Sequence, residues 1–327
     1  MKLRNKGLAV AFSAALGLGV TGEAAADVYG LSYLEINNLF ILFGNPPDVS
    51  NPQYTFSTNA DAILNLVPDA SSGAASCNSF SIACGATPNP RLSGTVQNAP
   101  GGGVTRSEND YQKFGLTAEY SNAESAIETA TLLGDATTKT RQIAESNLQT
   151  GSGAQANTNV ASNTFVTVDF TSASNTLVVN FDAIIDVLSQ VTGGDIGLAQ
   201  ASSSVSVVLT SATGQTLVSW APEGNGVITT CAAPLVCIAT ELDAGGGPAV
   251  SLNNTTSSFG APNQVAGTGN YNIFINGLTT GADYTLALAT SGLTDLARTV
   301  PVPGTLFLMG AGLLLGGRTL RRRERGA

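Results

Sequence analysis

Asp182 and Asp186 stand four residues apart in the apolar stretch FDAIIDVL. Residues at that spacing share a face on a strand or on a helix. Two carboxylates on one face are the equipment of a glycoside hydrolase, one acting as acid and the other as base or nucleophile. An acidic surface also supplies such pairs with no chemistry attached, and the sequence favours that plainer reading. The chain contains no histidine. That removes the commonest general base, the commonest metal ligand and the usual partner of a nucleophilic Ser or Cys. Asp195 in GGDIG and Asp243 in LDAGGG are loop carboxylates that could meet calcium, but neither loop carries alternating acidic ligands. Trp220, the single tryptophan, reads as core or as a platform for a sugar ring. With aromatics at 6%, core is preferred. GSGAQA loosely echoes a dinucleotide fingerprint, yet no strand precedes it and no periodic helix follows. These residues predict no cofactor, no metal and no catalytic activity.

Four cysteines, Cys77, Cys84, Cys231 and Cys237, permit three pairings. The local pairs Cys77–Cys84 and Cys231–Cys237 are the easiest to close, each contributing about 2–3 kcal/mol in the chain-entropy picture. Zinc is the alternative. The spacings are wider than the close pairs typical of zinc ligands, and no histidine completes a mixed set.

Charge is distributed in blocks. Charged residues are only 11% of the 327 residues. Between residues 27 and 303 there are 21 acidic and 6 basic residues, a surface that repels nucleic acid phosphates. Nucleic acid is therefore excluded as a partner. The remaining basic residues sit at the ends. Lys2, Arg4 and Lys6 precede the apolar GLAVAFSAALGLGV, and Ala24-Ala25-Ala26 follows it. This order is that of a secretory signal peptide, residues 1–26, cut after Ala26. Such a leader implies passage through the secretion machinery and an oxidising setting for the cysteines.

The other end reads Val300-Pro301-Val302-Pro303, then an apolar run of 14 residues from Gly304 to Gly317, then Arg318, Arg321, Arg322, Arg323 and Arg325. At about 1.5 Å per residue the run covers roughly 21 Å, and Leu320 with a snorkelling Arg318 brings it near a bilayer core of about 30 Å. Arginines after an apolar span hold that end in the cytoplasm. The two prolines keep the segment before the span extended. Motif, span and arginine cluster in this order resemble the PEP-CTERM sorting tail of Gram-negative bacteria, over residues 300–325. Most such tails carry Pro-Glu-Pro, and here Val302 replaces the Glu. The resemblance implies recognition by exosortase, a membrane enzyme that processes the tail. It also implies an inner-membrane precursor that ends at the cell surface or in an extracellular polysaccharide matrix. A plain C-terminal anchor is the alternative.

Residues 27–299 must then form the exported domain. Asp27–Phe43 reads as one long strand or as a hairpin turning at Asn37-Asn38. Gly44–Gly103, dense in Pro, Asn, Ser and Gly, predicts long loops with short strands. In Ser121–Leu148 the spacing of Ala123, Ala126, Ile127, Ala130 and Leu133 slightly favours a helix. Gln149–Asn163 predicts an exposed connection. Thr164–Phe170, Asn175–Leu188, Tyr271–Ile275 and Tyr284–Ala289 read as strands, and Ala201–Thr210 with Gln215–Trp220 as a hairpin turning at Ser211–Gly214. Leu278, Gly281 and Tyr284 have the spacing of a tyrosine corner. The fold class expected is all-β, a β-sandwich of jelly-roll or Greek-key type between a signal helix and a transmembrane helix. The function expected is that of a non-catalytic surface or matrix protein. A carbohydrate-binding or adhesive module is the first alternative, and a carboxylate-based hydrolase is the second.

Overall fold

In Thr176–Val191 burial alternates residue by residue, with Leu177, Val179, Phe181, Ala183, Ile185 and Val187 inward. A period of two over sixteen residues makes a strand with one face in a core. The computed structural model describes residues 27–44, 49–77, 91–98, 111–116, 119–128, 138–149, 155–192 and 196–299. Among these residues the strands, in chain order, are β1 (Val28–Leu42), β2 (Val49–Leu64), β3 (Val67–Cys77), β4 (Arg91–Asn98), β5 (Tyr120–Glu128), β6 (Thr138–Leu148), β7 (Gln155–Ser172) and β8 (Thr176–Val191). They continue as β9 (Ile196–Ser211), β10 (Thr216–Trp220), β11 (Thr230–Cys231), β12 (Val236–Leu242), β13 (Asn254–Ser258), β14 (Asn263–Asn276) and β15 (Asp283–Thr299).

Two antiparallel sheets result, and they pack face to face. One runs β12-β14-β8-β1-β6-β5-β4, and the other β11-β10-β9-β15-β7-β2-β3 with β13 beside β9. At one end the interior is aromatic and aliphatic. Phe43 meets Phe170 at 4.5 Å between ring centres, and Phe181 lies between Tyr271 at 5.5 Å and Trp220 at 6.0 Å. At the opposite end a smaller cluster joins Val28, Leu64, Leu148, Val191 and Leu296.

The waist between them is built from small and polar side chains. Ala60, Ala62, Ala123, Ala144 and Val160 pack together there. Hydrogen bonds cross from sheet to sheet. Ser146 and Thr294 share one at 2.9 Å, Thr290 donates to Gln142 Oε1 at 2.8 Å, and Ser162 donates to the Glu124 carbonyl at 2.6 Å. Gly292 faces Ser32, whose hydroxyl would lie 2.9 Å from any added Cβ, so the sheets approach closely here.

The structure corrects several sequence expectations. Ser121–Leu148 holds two strands, β5 and β6, and no helix among its described residues. In β5, Ala123 and Ile127 face the opposite sheet, while Ala126 faces outward into a second apolar cluster with Tyr29, Leu31, Tyr111 and Ile143. A strand buried on both faces loses its alternation and imitates a helical pattern. Gly44–Gly103 contains the 16-residue β2 and the 11-residue β3 instead of short strands. Gln149–Asn163 is no exposed connection, since β7 begins at Gln155 and buries Ala156, Thr158, Val160 and Ser162. Inward positions filled by Ala, Ser and Thr give no hydrophobic signal. The hairpin at Ser211–Gly214 forms as expected, with Gly214 N–H bonded to the Ser211 carbonyl at 2.8 Å. The expected leader and tail helices fall outside the described residues.

Val28–Leu42 is one strand, and Asn37-Asn38 is not a hairpin turn. The register slips between Ile36 and Leu39 against β6, and between Asn37 and Phe40 against β8. Asn38 has φ +54°, a left-handed conformation that asparagine tolerates better than most residues. This bulge exchanges the faces of the strand. Before it Leu34 and Ile36 point inward, and after it Leu39, Ile41 and Phe43 do.

The loop before β15 forms the expected tyrosine corner. Leu278 is buried, Gly281 has φ +81°, and Thr279 N–H donates to the Tyr284 hydroxyl at 2.9 Å. Tyr284→Phe keeps the ring and removes this tie, so a loss of about 1 kcal/mol is expected. Urea denaturation measures it, and an unshifted midpoint would mean that the tie contributes nothing.

Candidate functional site

Asp182 and Asp186 do share a face, the outer face of the first sheet, with half-exposed Ile184 between them. Four residues of strand separate their backbones by about 13 Å, and two Asp side chains together reach only about 5 Å, too little to bring the carboxyls to the roughly 5–5.5 Å of a retaining glycosidase pair. Both groups are also engaged. Asp182 accepts from Asn38 at 2.7 Å and from Asn270 at 2.9 Å. Asp186 pairs with Lys113 at 2.5 Å and accepts from Gln264 at 2.7 Å. They act as cross-strand fasteners.

The other sequence candidates are placed as follows. Trp220 is fully buried, and its indole N–H donates to Glu241 Oε1 at 2.7 Å, so it belongs to the core. Asp243 Oδ1 accepts from Gly245 N–H at 2.9 Å and Gly247 N–H at 2.7 Å, closing its own glycine turn. Asp195 lies outside the described residues. Among the described residues no group of three or more His, Cys, Asp or Glu is arranged to hold a metal. Cys231 and Cys237 form a disulfide. Cys77 ends β3, and its expected pairing with Cys84 lies outside the described residues. So do Val300, Pro301, Val302, Pro303 and the arginines Arg318, Arg321, Arg322, Arg323 and Arg325. Among the described residues no helix is long and apolar enough to cross a membrane.

The sequence reading missed two features of the outer face. The first is a roof over β1, β6 and β5 formed by residues 111–116. Glu145 receives Phe114 N–H at 2.9 Å, Gly115 N–H at 3.0 Å and the Tyr29 hydroxyl at 2.7 Å. Arg141 lies 4.6 Å from the Tyr111 ring centre and 2.7 Å from Glu128, while Lys113 stands 4.9 Å over the Tyr33 ring. Glu35 accepts from Lys139, Tyr33 and Asn37. Burial alone would push the Glu35 carboxyl up, but those three donors and the Lys139 charge outweigh it and hold it below the ordinary range. Burial, then the bond to Glu35 and its charge, pushes the Tyr33 phenol up.

A depressed carboxyl adds stability that is present above its unfolded value and lost as pH falls through the folded one. Glu35→Gln is therefore expected to be less stable than the parent at pH 7. The difference should close below about pH 4. Denaturation midpoints across that range test it, and a pH-independent difference would contradict the assignment.

The second feature lies farther along the same face, where the bulge has turned Phe40 and Leu42 outward. Pairing places Leu42 beside Val178, Val178 beside Phe274 and Phe274 beside Ile238, an apolar row across β1, β8, β14 and β12. Ile238 is 56% exposed. The next row sets Phe40 beside Asn180, Asn180 beside Asn272 and Asn272 beside Thr240. Asn270 donates to Asn180 Oδ1 at 3.0 Å as well as to Asp182. Together they make a band of two rings, aliphatic side chains and an amide ladder. The strands that build it come from four distant parts of the sequence.

At the sheet margin the chain folds back over β12. Ala249 N–H bonds the Glu241 carbonyl at 3.2 Å, and Gly226 sits where an added Cβ would be 3.2 Å from the Ala239 carbonyl. This covers part of the backbone of an edge strand, around Ala239 and Glu241, while the band stays open through its side chains.

No family of known sequences and no curated protein matches the chain. Among solved structures, the infectious bursal disease virus Gx strain aligns at 9% identity over 85% of this chain and 77% of that one, with a TM-score of 0.10. The VP2 subviral particle of the same virus aligns at 11% identity over 86% and 76%, with a TM-score of 0.11. Scores this low carry neither a fold nor an activity across.

Proposed function

We propose that the chain is a non-catalytic, exported protein of the bacterial surface or extracellular matrix. Residues 27–299 are the working domain, and residues 300–327 are a sorting tail handled by an exosortase-like membrane enzyme. The observation that carries this reading is the order of the tail: Val300-Pro301-Val302-Pro303, the apolar run and the arginines. The Cys231–Cys237 disulfide fits an oxidising compartment. The engaged and widely separated Asp182 and Asp186 favour binding or structure over hydrolysis. The strand order, with β1 between β6 and β8 and β15 between β7 and β9, supports a Greek-key or jelly-roll-like arrangement. In this proposal a signal helix precedes it and a transmembrane helix follows.

The test is the intact mass of the protein recovered from cells. Loss of residues 1–26 together with a C-terminal fragment beginning near Pro303 is the expected result. Pro301→Ala/Pro303→Ala should accumulate as membrane-bound precursor with unchanged domain stability, because both positions belong to the proposed sorting tail and not to residues 27–299. A variant released at the parental rate would leave the plain anchor as the better account.

A further inference from the structure

We propose that the band across β1, β8, β14 and β12 is a docking face for an uncharged polysaccharide chain, a ligand class that deepens the matrix-protein reading and rests on it. Three properties point to this occupant. Phe40 and Phe274 both stand half-buried on the outer face, two strands and two residues apart. With strand spacings of about 4.8 Å and a rise of about 3.4 Å per residue, the rings are about 12 Å apart. That suits two separated sugars along one extended chain better than one isolated sugar. A pyranose ring presents an apolar C–H face for such stacking and a rim of hydroxyls that both donate and accept. Asn180, Asn270 and Asn272 beside the rings offer amides that also do both.

Charge and size exclude the competing occupants. The described side chains of the two rows include no Lys or Arg, and Asp182 at their margin is anionic. A polyanion therefore finds repulsion there. Two rows across four strands cover roughly 250 Å². A stable pairing with a second copy needs about 800 Å² on each partner. The chain folded back at the β12 edge leaves side-chain contact as the mode of binding.

The experiment uses the full chain, held in lipid nanodiscs where it is membrane-bound and used directly where it is released. Depletion onto insoluble cellulose and chitin is compared with binding to immobilised alginate. Retention on a neutral polysaccharide, insensitive to salt, is expected. Phe40→Ala and Phe274→Ala should each weaken it about tenfold or more. Phe259→Ala, which removes a ring exposed elsewhere, should not change it. If Phe274→Ala fails to fold, Ile238→Ser at the exposed end of the row carries the same expectation. No retention on either neutral polysaccharide, equal retention by the ring variants, or salt-sensitive capture by alginate would each overturn the proposal. So would a concentration-dependent dimer that the ring variants abolish. Intact mass of the same sample reports the sorting reading separately, so the failure of one is not mistaken for the failure of the other.

Discussion

Trp220→Ala is expected to cost the protein most of its margin of stability. Trp220 is fully buried in the aromatic end of the core, 6.0 Å from Phe181 between ring centres. Truncating a buried Trp leaves a cavity costing about 3–5 kcal/mol. The Glu241 carboxylate, itself buried, would also lose the indole N–H that satisfies Oε1. An orphaned buried acceptor adds about 1–3 kcal/mol, more for a charge. Against a total stability of about 5–15 kcal/mol, a sum of about 4–8 kcal/mol removes a large share of the margin.

Two further variants separate the causes. Trp220→Phe keeps most of the apolar side chain but loses the donor together with part of the indole, so its cost sets an upper bound on the Glu241 bond. Adding Glu241→Leu to Trp220→Phe removes the stranded carboxylate and should restore part of the loss. Guanidinium unfolding followed by far-ultraviolet circular dichroism measures all of them. If Trp220→Phe matches the parent within about 0.5 kcal/mol, the bond contributes little and the cavity alone explains the alanine variant.

Deleting Asn38 is expected to be worse than any substitution there. Asn38 is the extra residue of the β1 bulge, and its presence lets Leu34 and Ile36 on one side and Leu39, Ile41 and Phe43 on the other all face the core. Without it, strict alternation forces one of these groups outward. Exposing the three later side chains forfeits about 1.5–3 kcal/mol apiece and pushes Phe40 and Leu42 inward to compete for the space. Asn38→Gly should cost about 1 kcal/mol or less, because glycine adopts φ +54° freely and only the exposed bond to Asp182 is lost. Asn38→Val should cost a few kcal/mol at most, since one residue is strained and no face is exchanged. Yield of folded protein, thermal midpoint and resistance to limited proteolysis should rank glycine, valine, deletion in that order. A deletion variant with the parental midpoint would mean that β1 does not rely on the bulge for its register.

The same strand shows what the sequence could disclose. Asp27–Phe43 announced a long strand through its aromatic and aliphatic content. The face exchange at Asn37-Asn38 was hidden, because two adjacent asparagines suit a hairpin as well as a bulge. The 201–220 hairpin was legible because Val205, Val207 and Leu209 alternate with Ser and Thr. Tyr284 and Trp220 were legible for related reasons, a spaced loop in one case and a lone large ring in the other. The strands β2, β5, β6 and the first half of β7 were not, because their inward positions are Thr58, Ala60, Ala123, Gln142, Ser146, Thr158 and Ser162. Gln142, Ser146 and Ser162 make cross-sheet hydrogen bonds and the others are small or polar, so no apolar period results. The band of Phe40, Phe274 and Ile238 could not be read from local sequence. It exists because β12, β14, β8 and β1 become neighbours, and that order is a property of the whole chain.

The waist has a thermal consequence. The heat capacity gained on unfolding rises with the apolar surface exposed and falls with the polar surface exposed. A layer of Ser32, Thr164, Thr290, Gln142, Ser146 and Thr294 between two apolar ends shifts that balance toward polar surface. The increment per residue should then fall below the usual value of about 12–15 cal/mol/K, and the curve of stability against temperature should be flatter. At a given midpoint and unfolding enthalpy, such a curve keeps more stability toward the cold. A protein sent outside the cell, as proposed here, takes the temperature of its surroundings.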